Sequence, residues 1–183
     1  FCALLLISNI GATKFIDFGP IKTDGGAFLF PLTYILGDVM TEVYGYRAAR
    51  RIIFTGFGIG ILAGLTFWLI QISPAAATWQ NQAAFESILG FVPQIVAASV
   101  IAFLLGQLSN SWTLVWIKRR TQGNKLWARL IGSTIVGEFV DTFVFTLIAS
   151  LGRLNFEEFL NYLATGYVYK TLFEVILLPI TYR

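Results

Sequence analysis

Ile95-Val96-Ala97-Ala98-Ser99-Val100-Ile101-Ala102-Phe103-Leu104-Leu105 runs without a charge and without alternation of polar and apolar residues. A strand of a membrane barrel would be about ten residues long and would change character at every second position. A helix crossing hydrocarbon instead needs about 20 apolar residues with no such alternation. The stretch therefore reads as the middle of a membrane-spanning helix over 93–117. Comparable apolar stretches place further spans at 1–18, 26–46, 51–72, 128–151 and 159–181. The expected fold class is all-α: a polytopic membrane protein with six transmembrane helices in a single transmembrane domain, 1–183. The chain opens on Phe1 inside one apolar run and stops at Arg183 just after another, so it is expected to be a fragment clipped at both ends.

Composition points the same way. The chain is 56% hydrophobic and 13% charged, with a mean hydropathy of +0.72, whereas soluble domains carry roughly 25% charged residues. It has one cysteine, Cys2, and no histidine. Disulfide frameworks, Cys/His metal clusters and histidine acid–base chemistry thus have almost nothing to work with. No Walker loop, dinucleotide fingerprint, nucleophile elbow or metalloprotease motif is present. We therefore expect no catalytic residues, no metal and no cofactor.

Basic residues set the expected orientation, because short cytoplasmic loops retain Lys and Arg. Arg47, Arg50 and Arg51 separate the second and third spans, and Lys118, Arg119, Arg120, Lys125 and Arg129 separate the fourth and fifth. The opposite loops hold only Lys14, Lys22 and Arg153. Both termini are expected to be cytoplasmic. This asymmetry accounts for the net charge of +3, so no nucleic-acid partner is invoked. The loop from Pro74 to Pro93 reads as an outer connector with a short interfacial helix, and Trp112, Trp116 and Trp127 as interface anchors.

Against this background the acids stand out. Gly37-Asp38-Val39-Met40-Thr41-Glu42 and Gly137-Glu138-Phe139-Val140-Asp141-Thr142 place paired carboxylates in apolar stretches, where they are costly and mark interior sites. Asp38 and Glu42 are four apart and Glu138 and Asp141 three apart, so each pair shares one helical face. Like charges that close raise at least one pKa, so one carboxyl of each pair can be protonated at neutral pH. Glu42, near the cytoplasmic end and Arg47, is also placed to serve as a surface partner. Counted in threes, the second and fifth spans are equivalent and oppositely oriented, the echo of a 3+3 inverted repeat. Lys170 and Glu174 sit one turn apart at about mid-membrane. They can pair with each other, although Lys before Glu is the weaker order, or with an acid on a neighbouring span. Pro31 and Pro179 each remove a backbone donor within a span. Gly56, Gly60 and Gly64 form a small-residue face suited to close helix packing. Phe28, Phe30, Tyr34, Tyr44, Phe139, Phe143, Tyr167 and Tyr169 lie near the acids, either as core or as a stacking pocket.

Several of these segments resemble a known family. Ser8-Asn9-Ile10 through Lys14, Asp24-Gly25-Gly26-Ala27, Phe30-Pro31-Leu32-Thr33-Tyr34-Ile35-Leu36-Gly37-Asp38 and Thr41-Glu42-Val43-Tyr44-Gly45-Tyr46-Arg47 are similar to the queuosine precursor transporters, within the broader vitamin uptake transporter grouping. Gly137 to Thr142 and Lys170 to Tyr182 look like that family's closing motifs. The resemblance implies a bacterial inner-membrane importer of 7-cyano-7-deazaguanine, and of its aminomethyl relative, for transfer RNA modification. A guanine-like base presents N1–H and an exocyclic amine that one carboxylate accepts together, and its face stacks on aromatics. On that basis the substrate-binding candidates are Asp38 and Asp141 for the base edge, with Tyr34 and Asn9 beside them. Glu42, Glu138, Lys170 and Glu174 would tune charge or gate access. Two other classes fit the same residues less well: a substrate-binding subunit that needs a separate energising complex, and an intramembrane enzyme using paired acids.

Overall fold

The structure, a computed structural model, describes residues 1–183 except 30, 31, 34, 35, 37, 38, 41, 42, 123–125, 182 and 183; the side chains of residues 46, 126–130 and 173–181 also lie outside the description. The chain divides into two compact units, Phe1–Ala97 and Ala98–Arg183.

The first unit opens with helix α1, Cys2–Gly11, which is shorter than the span expected over 1–18. The polar pair Thr13-Lys14 follows, with the Thr13 hydroxyl donating to the Ile10 carbonyl at 2.8 Å. The chain then turns to strands β1, Phe15–Phe18, and β2, Ile21–Asp24. They pair antiparallel from Phe15 opposite Asp24 to Phe18 opposite Ile21. Aromatic and β-branched side chains favour this pleated pairing, and the two-residue turn Gly19-Pro20 closes it. Gly19 has φ +64°, the positive value that the first position of a type II′ hairpin turn requires. An apolar run was thus mistaken for a longer helix because hydropathy does not register turn chemistry.

Asp24 ends β2 and caps a 3-10 turn, Gly25–Phe28, its buried Oδ1 accepting from the Gly26 N–H at 2.6 Å. This turn packs on the end of α1 backbone to backbone. A Cβ on Gly25 would fall 2.6 Å from the Gly11 carbonyl oxygen, and the Ser8 hydroxyl donates to the Gly26 carbonyl at 3.1 Å.

Helix α2, Tyr46–Ile72, starts at Gly45, whose φ of +80° is open to glycine and costly for other residues. The third span therefore begins five residues earlier than hydropathy suggests, and Arg47, Arg50 and Arg51 lie in its first turns rather than in a loop. Its glycine face works as expected. A Cβ at Gly56 would sit 3.0 Å from Leu5, one at Gly60 3.6 Å from Val96 and 3.8 Å from the Asn9 amide, and one at Gly64 3.4 Å from Pro93. The short connector helix α3, Gln82–Leu89, is fastened to α2 by Gln82, whose amide donates to the Gln71 carbonyl at 3.1 Å.

Helix α4, Val92–Arg120, buries Val92, Ile95, Val96, Ala98 and Ala102. It ends in Lys118-Arg119-Arg120, which complement the negative end of the helix dipole; the Arg120 guanidinium lies 5.4 Å from the Trp116 ring centre.

In the second unit α4 continues, followed by α5, Leu126–Ala149, and α6, Phe156–Thr181. Gly152, with φ +75°, carries the turn between them. Asn155 then opens α6 with a reciprocal cap: its Oδ1 accepts from the Glu158 N–H at 2.9 Å, and Glu158 accepts from the Asn155 N–H at 3.2 Å. Among the described residues, three helical stretches are long and apolar enough to cross a membrane: Arg47–Ile72, one within Gln82–Arg120, and Ile131–Ala149. The second expected span, 26–46, begins in the 3-10 turn, and much of it lies outside the described residues.

Gly25→Ala is expected to lower stability by about 1–3 kcal/mol, the usual cost of overpacking, because its new methyl meets backbone. Gly58→Ala, on α2 with nothing within 4 Å of a built Cβ, should gain roughly 0.5–1 kcal/mol of helix propensity. Thermal unfolding of the two variants in one detergent checks both signs.

Candidate functional site

Helices α4 and α5 run antiparallel and touch through glycine. A Cβ on Gly137 would fall 2.7 Å from Asn110 Cβ and 3.2 Å from the Gly106 carbonyl oxygen; one on Gly106 would fall 2.8 Å from Asp141 Cβ and 3.1 Å from the Gly137 carbonyl oxygen. With no side chain between them the two backbones come to van der Waals contact. This places Asn110 against Gly137, and Gly106 against Asp141, one turn away. The glycine of Gly137-Glu138-x-x-Asp141 is thus a packing position that brings its acid to a neighbouring helix.

From α6, Lys170 reaches across to the same acid, its Nζ 2.6 Å from Asp141 Oδ2. The ammonium also lies 6.0 Å from the centre of the Phe145 ring, one turn along α5. Their side chains are 14% and 19% exposed respectively, so both charges are largely withdrawn. A lone Lys or Asp at the centre of a membrane helix costs about 2.5–3.5 kcal/mol on insertion scales, and mutual pairing offsets much of that. Of the two partners open to Lys170 in the sequence, the acid of the neighbouring helix is met. The Glu174 side chain lies outside the described residues.

Buried polar groups recur along these helices. Ser133, Glu138, Thr142 and Thr146 of α5 and Thr113 of α4 are buried. Among the described residues, Asn110 Oδ1, Thr113 Oγ1, Thr142 Oγ1 and Thr171 Oγ1 are buried atoms with no hydrogen-bond partner. Buried polar atoms are ordinarily satisfied, and an orphan costs about 1–3 kcal/mol. Thr142 and Thr171 adjoin Asp141 and Lys170 in sequence, so two of the unpartnered hydroxyls flank the ion pair.

Asp141, Lys170 and Glu138 are therefore brought together in the second unit. Asn9 is buried in the first unit, on α1 beside Gly60 of α2. Asp38, Glu42 and Tyr34 lie outside the described residues. Of the aromatics considered for stacking, Phe139 stacks on Phe143 and meets Tyr167 edge to face between α5 and α6. Phe139 lies 6.1 Å from Phe143 and 5.6 Å from Tyr167, and both phenylalanines are exposed. Phe28 and Tyr44 are exposed as well. Asn110 and the threonines escaped the sequence reading, though Ser109-Asn110-Ser111 interrupting an apolar span is a visible signal.

Membrane-length helices enclosing a paired charge and unsatisfied polar atoms define a multi-pass membrane protein with an interior polar site. Residues 24–183 match the family described as "Putative vitamin uptake transporter", and the chain belongs to that family of membrane transporters. It is similar to the "Probable queuosine precursor transporter" of Bacillus subtilis (strain 168), 29% identical over 96% of this chain and 77% of that protein. It also resembles the "Queuosine precursor transporter" of Escherichia coli (strain K12), at 29% over 84% and 68% respectively. A third similar protein, the "Probable queuosine precursor transporter" of Haemophilus influenzae, is 28% identical over 79% of this chain and 58% of its own length. No solved structure matches the chain significantly.

Asp141→Asn takes the acid from a largely buried ammonium and is expected to cost roughly 2–3 kcal/mol, below the range for fully buried pairs because both groups keep some exposure. The double variant Asp141→Asn/Lys170→Met should recover most of that loss. Thermal unfolding of the single and double variants in detergent measures the coupling.

Proposed function

We propose that this protein imports a queuosine precursor, 7-cyano-7-deazaguanine in particular, across the bacterial inner membrane. The observation that carries this reading is the Asp141–Lys170 bridge among orphaned polar atoms, in a chain similar over most of its length to proteins named for that transport. Asp141 keeps Oδ1 for the N–H edge of a guanine-like base while Oδ2 holds the ammonium. Asp38, the acid of the matching Gly-acid motif, is the second binding candidate for the base edge. Glu42, Glu138 and Glu174 are further candidates for tuning charge, and Tyr34 and Asn9 for contacting the substrate.

The wider arrangement belongs to the same proposal. Six membrane helices form a 3+3 inverted repeat within a single transmembrane domain. Both ends of the chain face the cytoplasm, with the basic turns Arg47–Arg51 and Lys118–Arg120 on that side. Binding occurs near the midplane at the repeat interface, and the protein transports without altering its substrate and without a nucleic-acid partner.

The charge of the bridge bears on which of the two precursors is taken. Lys170 balances Asp141, so the bridge itself accepts a neutral nitrile and sets an ammonium against the cationic aminomethyl compound, an effect opposed by any further acid of the site that stays ionised. The bridge therefore favours the nitrile.

Purified protein in liposomes, with no partner, should take up radiolabelled 7-cyano-7-deazaguanine saturably, and an inward proton gradient should increase the rate. Asp141→Asn and Asp38→Asn should insert normally and lose uptake. Uptake that appears only when an energising ATPase is added would assign the chain to the class of binding subunits, and uptake unchanged in both variants would remove these acids from the site. Lys170→Gln should strengthen competition by the aminomethyl compound about tenfold, or 1.4 kcal/mol, read from inhibition of nitrile uptake.

A further inference from the structure

We infer that Asn110 is a substrate-reading residue whose carboxamide oxygen accepts a hydrogen bond from the transported heterocycle, so that the site selects a ligand with at least two N–H donors along one edge. The inference rests on the transport reading above and assigns a second contact to the same site.

Among the described residues, Asn110 Oδ1 meets no donor that would explain it as structural glue. Asparagine within membrane helices commonly bonds across to a neighbouring helix, yet its Oδ1 is buried and unpartnered among the described residues. Its stem rests on the bare backbone of Gly137, where a Cβ would fall 2.7 Å from Asn110 Cβ. That contact holds the carboxamide against α5. One turn back along α4, Gly106 makes the equivalent contact with Asp141. Asn110 thus stands one helical turn, about 5.4 Å of rise, from the level at which α4 meets the acid, a separation that a bicyclic base can bridge.

The chemistry of the two groups determines the ligand. The free Asp141 oxygen and Asn110 Oδ1 are both acceptors, so each must meet a donor. Thr113, three residues along α4 with its buried hydroxyl also unpartnered, can donate or accept. An amino-substituted lactam such as guanine offers both a ring N–H and an exocyclic amine, whereas hypoxanthine lacks the amine. A site built to bond a donor rejects an analogue lacking it, because its own acceptor is then left buried and unpaired.

The test uses the full chain in proteoliposomes, with 7-cyano-7-deazaguanine as the labelled substrate and 7-deazaguanine and 7-deazahypoxanthine as competitors. The unaltered protein should prefer the amino compound at least about tenfold. Asn110→Leu and Asn110→Ala should raise the half-saturation concentration and reduce the preference, with the maximal rate changing less. Asn110→Asp keeps an acceptor oxygen and should retain the preference. Half-saturation and preference unchanged in the Leu and Ala variants would overturn the assignment while leaving the transport reading intact. Absence of uptake by the unaltered protein would overturn both. Should none of the variants accumulate in the membrane, Asn110 is a packing element and the assignment falls.

Discussion

A charge placed in hydrocarbon must find a partner, and the second unit of this protein is arranged around one such partnership. Lys170 on α6 and Asp141 on α5 meet at 2.6 Å, each offsetting a desolvation cost that neither helix would tolerate alone. The bridge fixes the rotation of α5 and α6 about their axes, since any large turn of either would carry one charge into lipid. Glu138 and Thr142 follow Asp141 around α5 to the same buried side, while Phe139 and Phe143 turn outward.

Glycine makes that arrangement reachable. At Gly106 and Gly137 the α4 and α5 backbones touch directly, which brings Asn110 beside the acid-bearing helix. The same device recurs in the first unit, where Gly56, Gly60 and Gly64 receive Leu5, Asn9, Val96 and Pro93. Gly25 closes on Gly11 to fasten the hairpin and its 3-10 turn to α1. Within a membrane there is no hydrophobic drive between helices, so such close approach supplies the packing that water would otherwise enforce.

Much of the helical framework was legible in the sequence because long apolar runs have few alternatives in a bilayer. The ends of α4, α5 and α6 fall within three residues of the hydropathy boundaries. Where local chemistry overrode hydropathy, the reading failed. Gly19-Pro20 turned the end of the first expected span into a hairpin, and Gly45 started α2 early. Asp141 and Lys170, singled out by residue type because ionisable groups at membrane depth have few bland explanations, are the pair that meets. That Lys170 would reach Asp141 was left open in the sequence, because the contact depends on the distance between two helices. Asn110 was missed because it carries no charge; its importance emerges only from an unpartnered oxygen.

The most direct test of this account is an experimental structure of the protein with 7-cyano-7-deazaguanine bound. The account predicts that the base edge lies within hydrogen-bond distance of Asp141, with the Lys170 ammonium still on the other carboxylate oxygen. Density for the base anywhere that leaves Asp141 and Lys170 untouched would contradict it.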